Sequence, residues 1–340
     1  MKTELHHFYL RVASALILLV VSAGMAFQDK LDPQRLRVES ALVTVPVIVS
    51  DFQGRFLPGL NADNFKLYQD GVPESVSLFL TSEDPIKIAL LLDTSRSTAP
   101  VLDKIKKAAG RFLLQMRPKD LAMVVSFDSE IQALSPLTSD QRELSDAISK
   151  ARPGGVGTKM RDALVEITQK KFRSLSGRKA VVLLTDGEDH GSEISMPDLL
   201  DTVAASSTLI YSVFYHVDVR QLMKGLMGAS ARAPKSLSGR KDGLKDPWQQ
   251  SEDQAVQFLE KVSELSAGRF YRSDVPELDK AFKQISDELR SQYLLGFYPD
   301  QSKLDGRIHT LEVQVAIPDT LVRSRRSYRS IRDSKFEIRD

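Results

Sequence analysis

Four short apolar runs constrain this chain more than any other feature: Ile88–Leu92, Leu121–Phe127, Ala180–Leu184 and Leu209–Phe214. A strand wetted on one face alternates apolar and polar residues. A run apolar at nearly every position needs cover on both faces, as in a parallel sheet with helices on each side. The segments between the runs have helical period. Val101, Ile105, Ala108, Ala109, Phe112 and Met116 fall on one face, Leu144 and Ile148 mark a second helix, and Met160–Phe172 a third. Ser251-x-x-Gln254 reads as a capping box opening a helix that ends at Gly268, with Ala255, Phe258, Leu259, Val262 and Leu265 as its apolar face. Leu278, Ala281, Phe282, Ile285 and Leu289 define a last one. Buried strands alternating with amphipathic helices predict an α/β domain with a mainly parallel sheet. Its expected span is 85–297.

The flanks read differently. Val43, Val45, Val47 and Val49 alternate with Thr44, Pro46, Ile48 and Ser50, a strand whose proline places it at an edge. Phe65–Gln69, Asp70-Gly71 and Val76–Leu80 read as a hairpin. Leu311, Val313, Val315 and Ile317 restore the two-residue period after the α/β domain. A β segment over 35–84 and another over 298–332 are therefore expected to pack together as one small module. Arg323, Arg325 and Arg326 in the second segment are expected on a solvated strand face.

Composition closes several routes. Among the 340 residues there is no Cys, which excludes disulfides, thiolate metal sites, Fe–S clusters and cysteine nucleophiles. Lys plus Arg number 47 against 45 Asp plus Glu, a formal charge of +2, so there is no electrostatic case for nucleic acid. At the N-terminus, Lys2 and Arg11 precede an apolar stretch from Val12 to Ala23, and Gly24 and Ala26 are small. That is the anatomy of a signal peptide over 1–26, cleaved after Ala26. Its apolar run of 12 residues falls short of the ~20 needed to span a bilayer. The expected location is periplasmic or extracellular, with no membrane span after cleavage and an uncleaved anchor as the alternative.

Ligands of a parallel α/β sheet bind outside the carboxyl ends of its strands. Three sequence features fall there. Leu92-Asp93-Thr94-Ser95-Arg96-Ser97 ends the first run, Gly154-Gly-Val-Gly-Thr158-Lys159 forms a Gly-rich loop entering a helix, and Leu184-Thr185-Asp186-Gly187 ends the third run. They offer Asp93, Ser95, Ser97, Thr158 and Asp186, an all-oxygen set. Hard oxygen donors suit Mg²⁺, Ca²⁺ or Mn²⁺. With only two formal negative charges, a cation held there would stay electrophilic and open to a further carboxylate. The competing reading is that these Ser and Asp side chains only cap turns and helices. Lys159 beside Thr158 would weaken a cation site if it pointed inward, and Asp162 reads equally as a helix N-terminal charge.

This Asp-x-Ser-x-Ser, distal Thr and Thr-Asp-Gly set resembles the metal-ion-dependent adhesion site (MIDAS) of von Willebrand factor type A (VWA) domains, over roughly 86–297. The wider layout is similar to the exported bacterial VWFA-related acidobacterial type. It includes Asp51-x-x-Gly54, Leu60–Phe65, Tyr68–Gly71, Tyr293–Pro299 and Val322–Tyr328. The resemblance implies a Rossmann-like fold and a divalent cation, Mg²⁺ first with Ca²⁺ or Mn²⁺ as alternatives. It implies that Ser95, Ser97 and Thr158 bind the cation directly, and Asp93 and Asp186 directly or through water. It implies no reaction.

Three functions compete. A binding module would use the cation to grip an acidic group of a protein partner. A structural or assembly platform of the cell envelope would leave the cation unused. A metal-dependent hydrolase is disfavoured. Dehalogenase-type phosphatases need a second Asp where Ser95 stands, and Asp93–Ser97 is no Gly-x-Ser-x-Gly elbow. Gly154–Lys159 also lacks the residue order of a P-loop. The binding module is the expected function, with no enzymatic activity. His190 reads as a turn residue. The segment 218–250, rich in Arg, Lys and Gly, reads as a basic insertion loop with the single Trp248, solvated or contacting an anionic partner.

Overall fold

The computed structural model describes residues 42–216 and 247–330, with side chains left out of account over 247–251. The expected signal segment 1–26, most of the basic loop and the last residues of the tail lie outside the described residues. In chain order the elements are β1 (Val43–Asp51), β2 (Phe65–Gln69), β3 (Val72–Glu74), β4 (Leu78–Leu80) and β5 (Ile86–Asp93). There follow α1 (Leu102–Leu114), β6 (Leu121–Phe127), β7 (Ile131–Ala133), α2 (Gln141–Lys150) and α3 (Met160–Val165). Next come β8 (Arg178–Thr185), α4 (Met196–Ala205), β9 (Leu209–His216), α5 (Pro247–Leu265) and β10 (Arg269–Asp274). The chain continues through α6 (Leu278–Leu289), β11 (Gln292–Phe297), β12 (Ile308–Val315), β13 (Thr320–Ser324) and β14 (Ser327–Arg329).

The four apolar runs become β5, β6, β8 and β9 of a six-stranded sheet ordered β10-β9-β8-β5-β6-β7, parallel except for β7. Both faces are covered, as uninterrupted hydrophobicity requires. Ile88, Leu90 and Leu92 of β5 pack with α1, α2 and α6, while Ala89 and Leu91 point the other way toward α3, α4 and α5. The architecture is thus the expected mixed α/β fold. Topology then picks out one place. From β5 the chain builds outward through β6 and β7, then returns to lay β8, β9 and β10 on the other side. The crevice beyond the carboxyl ends of β5 and β8 is the switch point, where ligands of such sheets bind.

The flanking segments form two four-stranded sheets, β13-β1-β11-β4 and β14-β12-β2-β3. Val43, Val45, Val47 and Val49 of β1 share a core with Phe65, Leu67, Leu295, Phe297, Leu311 and Val313 from both sheets. Three sequence boundaries need correction. Gln292–Phe297, expected to close the α/β domain, pairs antiparallel with β1 from Val43↔Phe297 to Ile48↔Gln292. That leaves β1, despite Pro46, between β11 and β13 and not at an edge. Helix α5 starts at Pro247, so Ser251-x-x-Gln254 lies inside it, and residues 247–250 belong to the helix and not to the expected loop. Proline is well suited to a first helical position, where its missing N–H costs no hydrogen bond.

The helix expected over Met160–Phe172 is α only to Val165. Over Glu166–Lys171 it widens to a π-turn, closed by the Phe172 amide donating to the Ile167 carbonyl at 2.8 Å. Of the three arginines expected on a solvated strand face, Arg326 is exposed as expected, but Arg323 and Arg325 are not. Arg325 is 3% exposed, and Arg323 forms an ion pair with Glu288, which is 1% exposed.

Candidate metal centre at the sheet switch point

Asp93 is the last residue of β5 and is fully buried. Leu92 pairs with Leu184 of β8, so Asp93 lies level with the Thr185 end of the neighbouring strand. One carboxylate oxygen, Oδ1, accepts the Ser95 amide at 2.9 Å. The other, Oδ2, accepts the Thr185 hydroxyl at 2.7 Å. Thr185 Oγ1 in turn accepts the Gly187 amide at 3.0 Å, fixing the turn that carries Asp186. Gly187 has φ +89°, and a Cβ there would meet Phe214 and Ala255 below 3.0 Å, so the Asp186-Gly187 turn requires glycine.

After Asp93 the chain folds back on itself. Thr98 Oγ1 donates within this turn and lies 3.0 Å from the Asp93 carbonyl and 2.9 Å from the Ser95 carbonyl. This brings the Ser95 and Ser97 hydroxyls to 3.1 Å of each other. The Gly-rich loop is tied to the same end of the sheet through its backbone. The Gly154 amide donates to the Thr94 carbonyl at 2.7 Å, and Thr158 exchanges hydrogen bonds with His190 at 2.7 and 3.1 Å. Asp93, Ser95, Ser97 and Asp186 therefore form one side-chain cluster, and Thr158, 3% exposed, is joined by its backbone to His190 in the loop that follows Asp186.

A fully buried carboxylate, Asp93, and a half-buried one, Asp186, stand side by side here. Burial, and then the charge of Asp186, push the Asp93 carboxyl up to about 7. Burial raises Asp186 as well, partly offset by the Ser97 hydroxyl. The same pair, after burial itself, pushes the Tyr215 hydroxyl well above its usual value. Asp186 Oδ1 is buried with no hydrogen-bond partner. An orphaned buried carboxylate oxygen is costly. Together with two adjacent hydroxyls, it is the donor arrangement a hard divalent cation satisfies. The residues present fit such an ion. Among the described residues no three of His, Asp and Glu cluster to hold a metal, so a site here draws on hydroxyl oxygens.

The neighbouring charges have other partners. Lys159 Nζ lies 3.4 Å from Glu193, so its charge has a carboxylate to face. Asp162 accepts the Glu193 and Ile194 amides at 3.0 and 2.9 Å, a turn-holding role. The His190 ring is mostly exposed and 3.6 Å from Glu188. Sequence reasoning missed three supporting residues. Thr185 orients Asp93. Asp128 accepts the Thr94 hydroxyl at 2.8 Å and lies where a Cβ on Gly154 would fall, 1.9 Å from Oδ2. Arg161 is held by Asp189 at 3.3 Å. Asp128 follows the last residue of β6, so the strand-end rule applied to that second apolar run was the available signal.

A parallel, doubly covered sheet with acidic and hydroxyl side chains at its switch point defines a Rossmann-like α/β domain. Residues 87–234 match the von Willebrand factor type A domain family. Among solved structures, the chain is similar to BatB of Bacteroides thetaiotaomicron, with 21% identity over 60% of this chain and 97% of that one, TM-score 0.43. It is also similar to a von Willebrand factor type A protein of Catenulispora acidiphila, with 12% identity over 79% and 74%, TM-score 0.45. A third is the mussel byssus proximal thread matrix protein 1 in a structure with a zinc-occupied MIDAS motif, with 17% identity over 66% and 50%, TM-score 0.47. No curated protein matches the chain. The family match ends within the stretch outside the described residues, yet the six-stranded sheet continues to β10 and its helical cover to α6.

Proposed function

We propose that this protein is an exported, non-catalytic binding module that holds a divalent cation, Mg²⁺ in the first instance, at the switch point and uses it to grip a carboxylate of a protein partner. The observation that carries this reading is the pairing of buried Asp93 with half-buried Asp186, whose buried and unpartnered oxygen accompanies the Ser95 and Ser97 hydroxyls. Ser95, Ser97 and Thr158 would contribute neutral oxygens, and Asp93 and Asp186 the negative charge. A cation so held supplies Lewis acidity toward an incoming carboxylate, because two carboxylates neutralise no more than its own charge. The chain's own residues do the rest. Thr185 and the Ser95 amide hold Asp93 in one orientation, and the Thr98 turn holds the two serines together. Export rests on the N-terminal signal pattern. The non-catalytic reading rests on the site's make-up, since its hydroxyls meet carboxylates that the cation would occupy, and the His190 ring turns to Glu188.

The test is thermal unfolding with Mg²⁺ or Mn²⁺ against EDTA. A ligand at 100 times its Kd stabilises by about 2.7 kcal/mol, a rise of several degrees for a domain of this size. Asp93→Ala is expected to remove that rise. A fluorescent Glu-containing peptide should then bind in Mn²⁺ and dissociate in EDTA. No metal-dependent shift at millimolar ion rejects the cation site. A metal shift without peptide binding rejects the carboxylate partner, and turnover of phosphate or ester substrates rejects the non-catalytic reading.

A further inference from the structure

The sheet's other end, at the amino ends of its strands, carries an accumulation of positive charge that the cation site does not use. Arg325 follows β13 and is 3% exposed. Its Nη1 donates to the Ser206 carbonyl at 3.0 Å, where α4 ends, and its guanidinium lies over the Tyr328 ring at 5.7 Å. Its Nε is buried and has no partner. Among the described residues it forms no ion pair with a carboxylate, and Tyr328 is the group that faces its guanidinium. Burial pulls the group down to about 10, and the one influence that opposes this is the Tyr328 hydroxyl. Lys179 at the start of β8 is also buried, and the charges of Lys87 and Arg325 act on it.

Arg325 lines a cavity of about 160 Å³ together with Thr44 of β1, Ser207 ahead of β9, Tyr328 and Arg329 of β14 and Ser330. The volume compares with about 30 Å³ for one water in the liquid. That is room for a small anion and a few waters. Arg329 gives Nη2 to Asp201 at 2.8 Å and Nη1 to the Gly306 carbonyl at 3.2 Å, and its Nε is likewise buried without a partner. A buried guanidinium without an anion is expensive, and its planar donors match the two oxygens of a carboxylate or phosphate.

We propose that this cavity, between the α4–β9 connection and the flanking β sheets, binds a small oxyanion through Arg325 and Arg329. The ligand chemistry is a carboxylate or phosphate group. The site is independent of the cation at the opposite end of the sheet.

The test is thermal unfolding of the full chain in EDTA, so that the cation site contributes nothing. Inorganic phosphate and acetate form two arms, each against sodium chloride at matched ionic strength. A saturable rise is expected in at least one oxyanion arm, about 2–3 °C at tenfold excess over Kd. The arm that responds identifies the group recognised. Arg325→Met should lose the rise and, without oxyanion, be at least as stable as the parent, because it replaces an uncompensated buried charge by an apolar side chain of similar length. Arg329→Met should fold and also lose the rise, and it carries the test if Arg325→Met does not fold. No rise above the chloride control overturns the proposal, and so does a rise that Arg329→Met retains in full.

Discussion

Two glycines with opposite environments show how differently one residue type can be constrained. Gly268 lies just before β10, and a Cβ there would sit 2.0 Å from the Ile210 carbonyl oxygen of β9. The obstacle is backbone in the middle of a parallel pairing, where Arg269 stands opposite Tyr211, so neither side can yield cheaply. The left-handed residue that ends α5 is Ala267, at φ +62°. Gly268 therefore serves close approach of two strands and not helix termination. Gly110, in the middle of α1, has nothing within 4 Å of its would-be Cβ. Gly268→Ala is expected to destabilise by about 1–3 kcal/mol, as overpacking does. Gly110→Ala is expected to stabilise by up to about 1 kcal/mol by removing backbone entropy from the unfolded chain. Urea unfolding of both variants checks this, and equal signs would contradict the geometry.

Between elements, the informative residue is Glu288 on α6, 1% exposed. It accepts the Tyr211 hydroxyl of β9 at 2.9 Å, lies 3.2 Å from Arg269 of β10, and pairs with Arg323 of β13. One carboxylate thus fastens the α/β layer to the flanking sheet. Glu288→Gln leaves two guanidiniums facing a neutral amide, and breaking such a buried arrangement costs about 3–5 kcal/mol. In the double variant with Arg323→Met, the losses should fall short of additive in a double-mutant cycle by equilibrium unfolding. Additive losses would mean that the two groups do not interact. Nothing local in Arg323-Ser-Arg-Arg-Ser-Tyr328 announces this arrangement. A charge run looks solvated until partners 35 or more residues away in sequence are in place. By contrast, β5 and β8 were legible from Ile88–Leu92 and Ala180–Leu184 because burial on both faces leaves a local mark. The Asp93, Ser95, Ser97 and Asp186 cluster was legible for a related reason, since strand ends fix where short side chains converge. The π-turn at 166–171 was not, because a hydrogen bond that skips to i+5 leaves the apolar period almost unchanged. Nor was the place of β11, an apolar run that fits either sheet and is assigned by its pairing with β1.

For the whole molecule, the buried cations at the amino ends of the strands set how stability depends on pH. Lys179 is 8% exposed and donates to the Phe172 carbonyl at 3.2 Å. It stands across from Lys87 on β5 and under the influence of Arg325. Burial first, and those two charges second, pull its pKa from 10.5 down to about 8. Between these values the unfolded chain binds a proton that the folded chain has released, so unfolding stability rises with pH. Lys179 thus penalises the fold at neutral pH, and the penalty is lifted as pH climbs through 8 toward 10.5. Each unit is worth up to about 1.4 kcal/mol, which gives a gain of about 2 kcal/mol from pH 7.5 to 9.5. The window is best closed before pH 10. Above it the unfolded chain's tyrosines ionise while Tyr211, Tyr215 and Tyr293 are held neutral by burial, which lowers stability again. Arg178, pulled down to about 10, enters only there. Denaturant unfolding at pH 7.5, 8.5 and 9.5, in EDTA and without oxyanion, should show stability climbing for the parent chain. Lys179→Met should be more stable at pH 7.5 and nearly flat across the series. A parent that loses stability over this interval, or a variant that keeps the parent's slope, would show that another group controls the alkaline side.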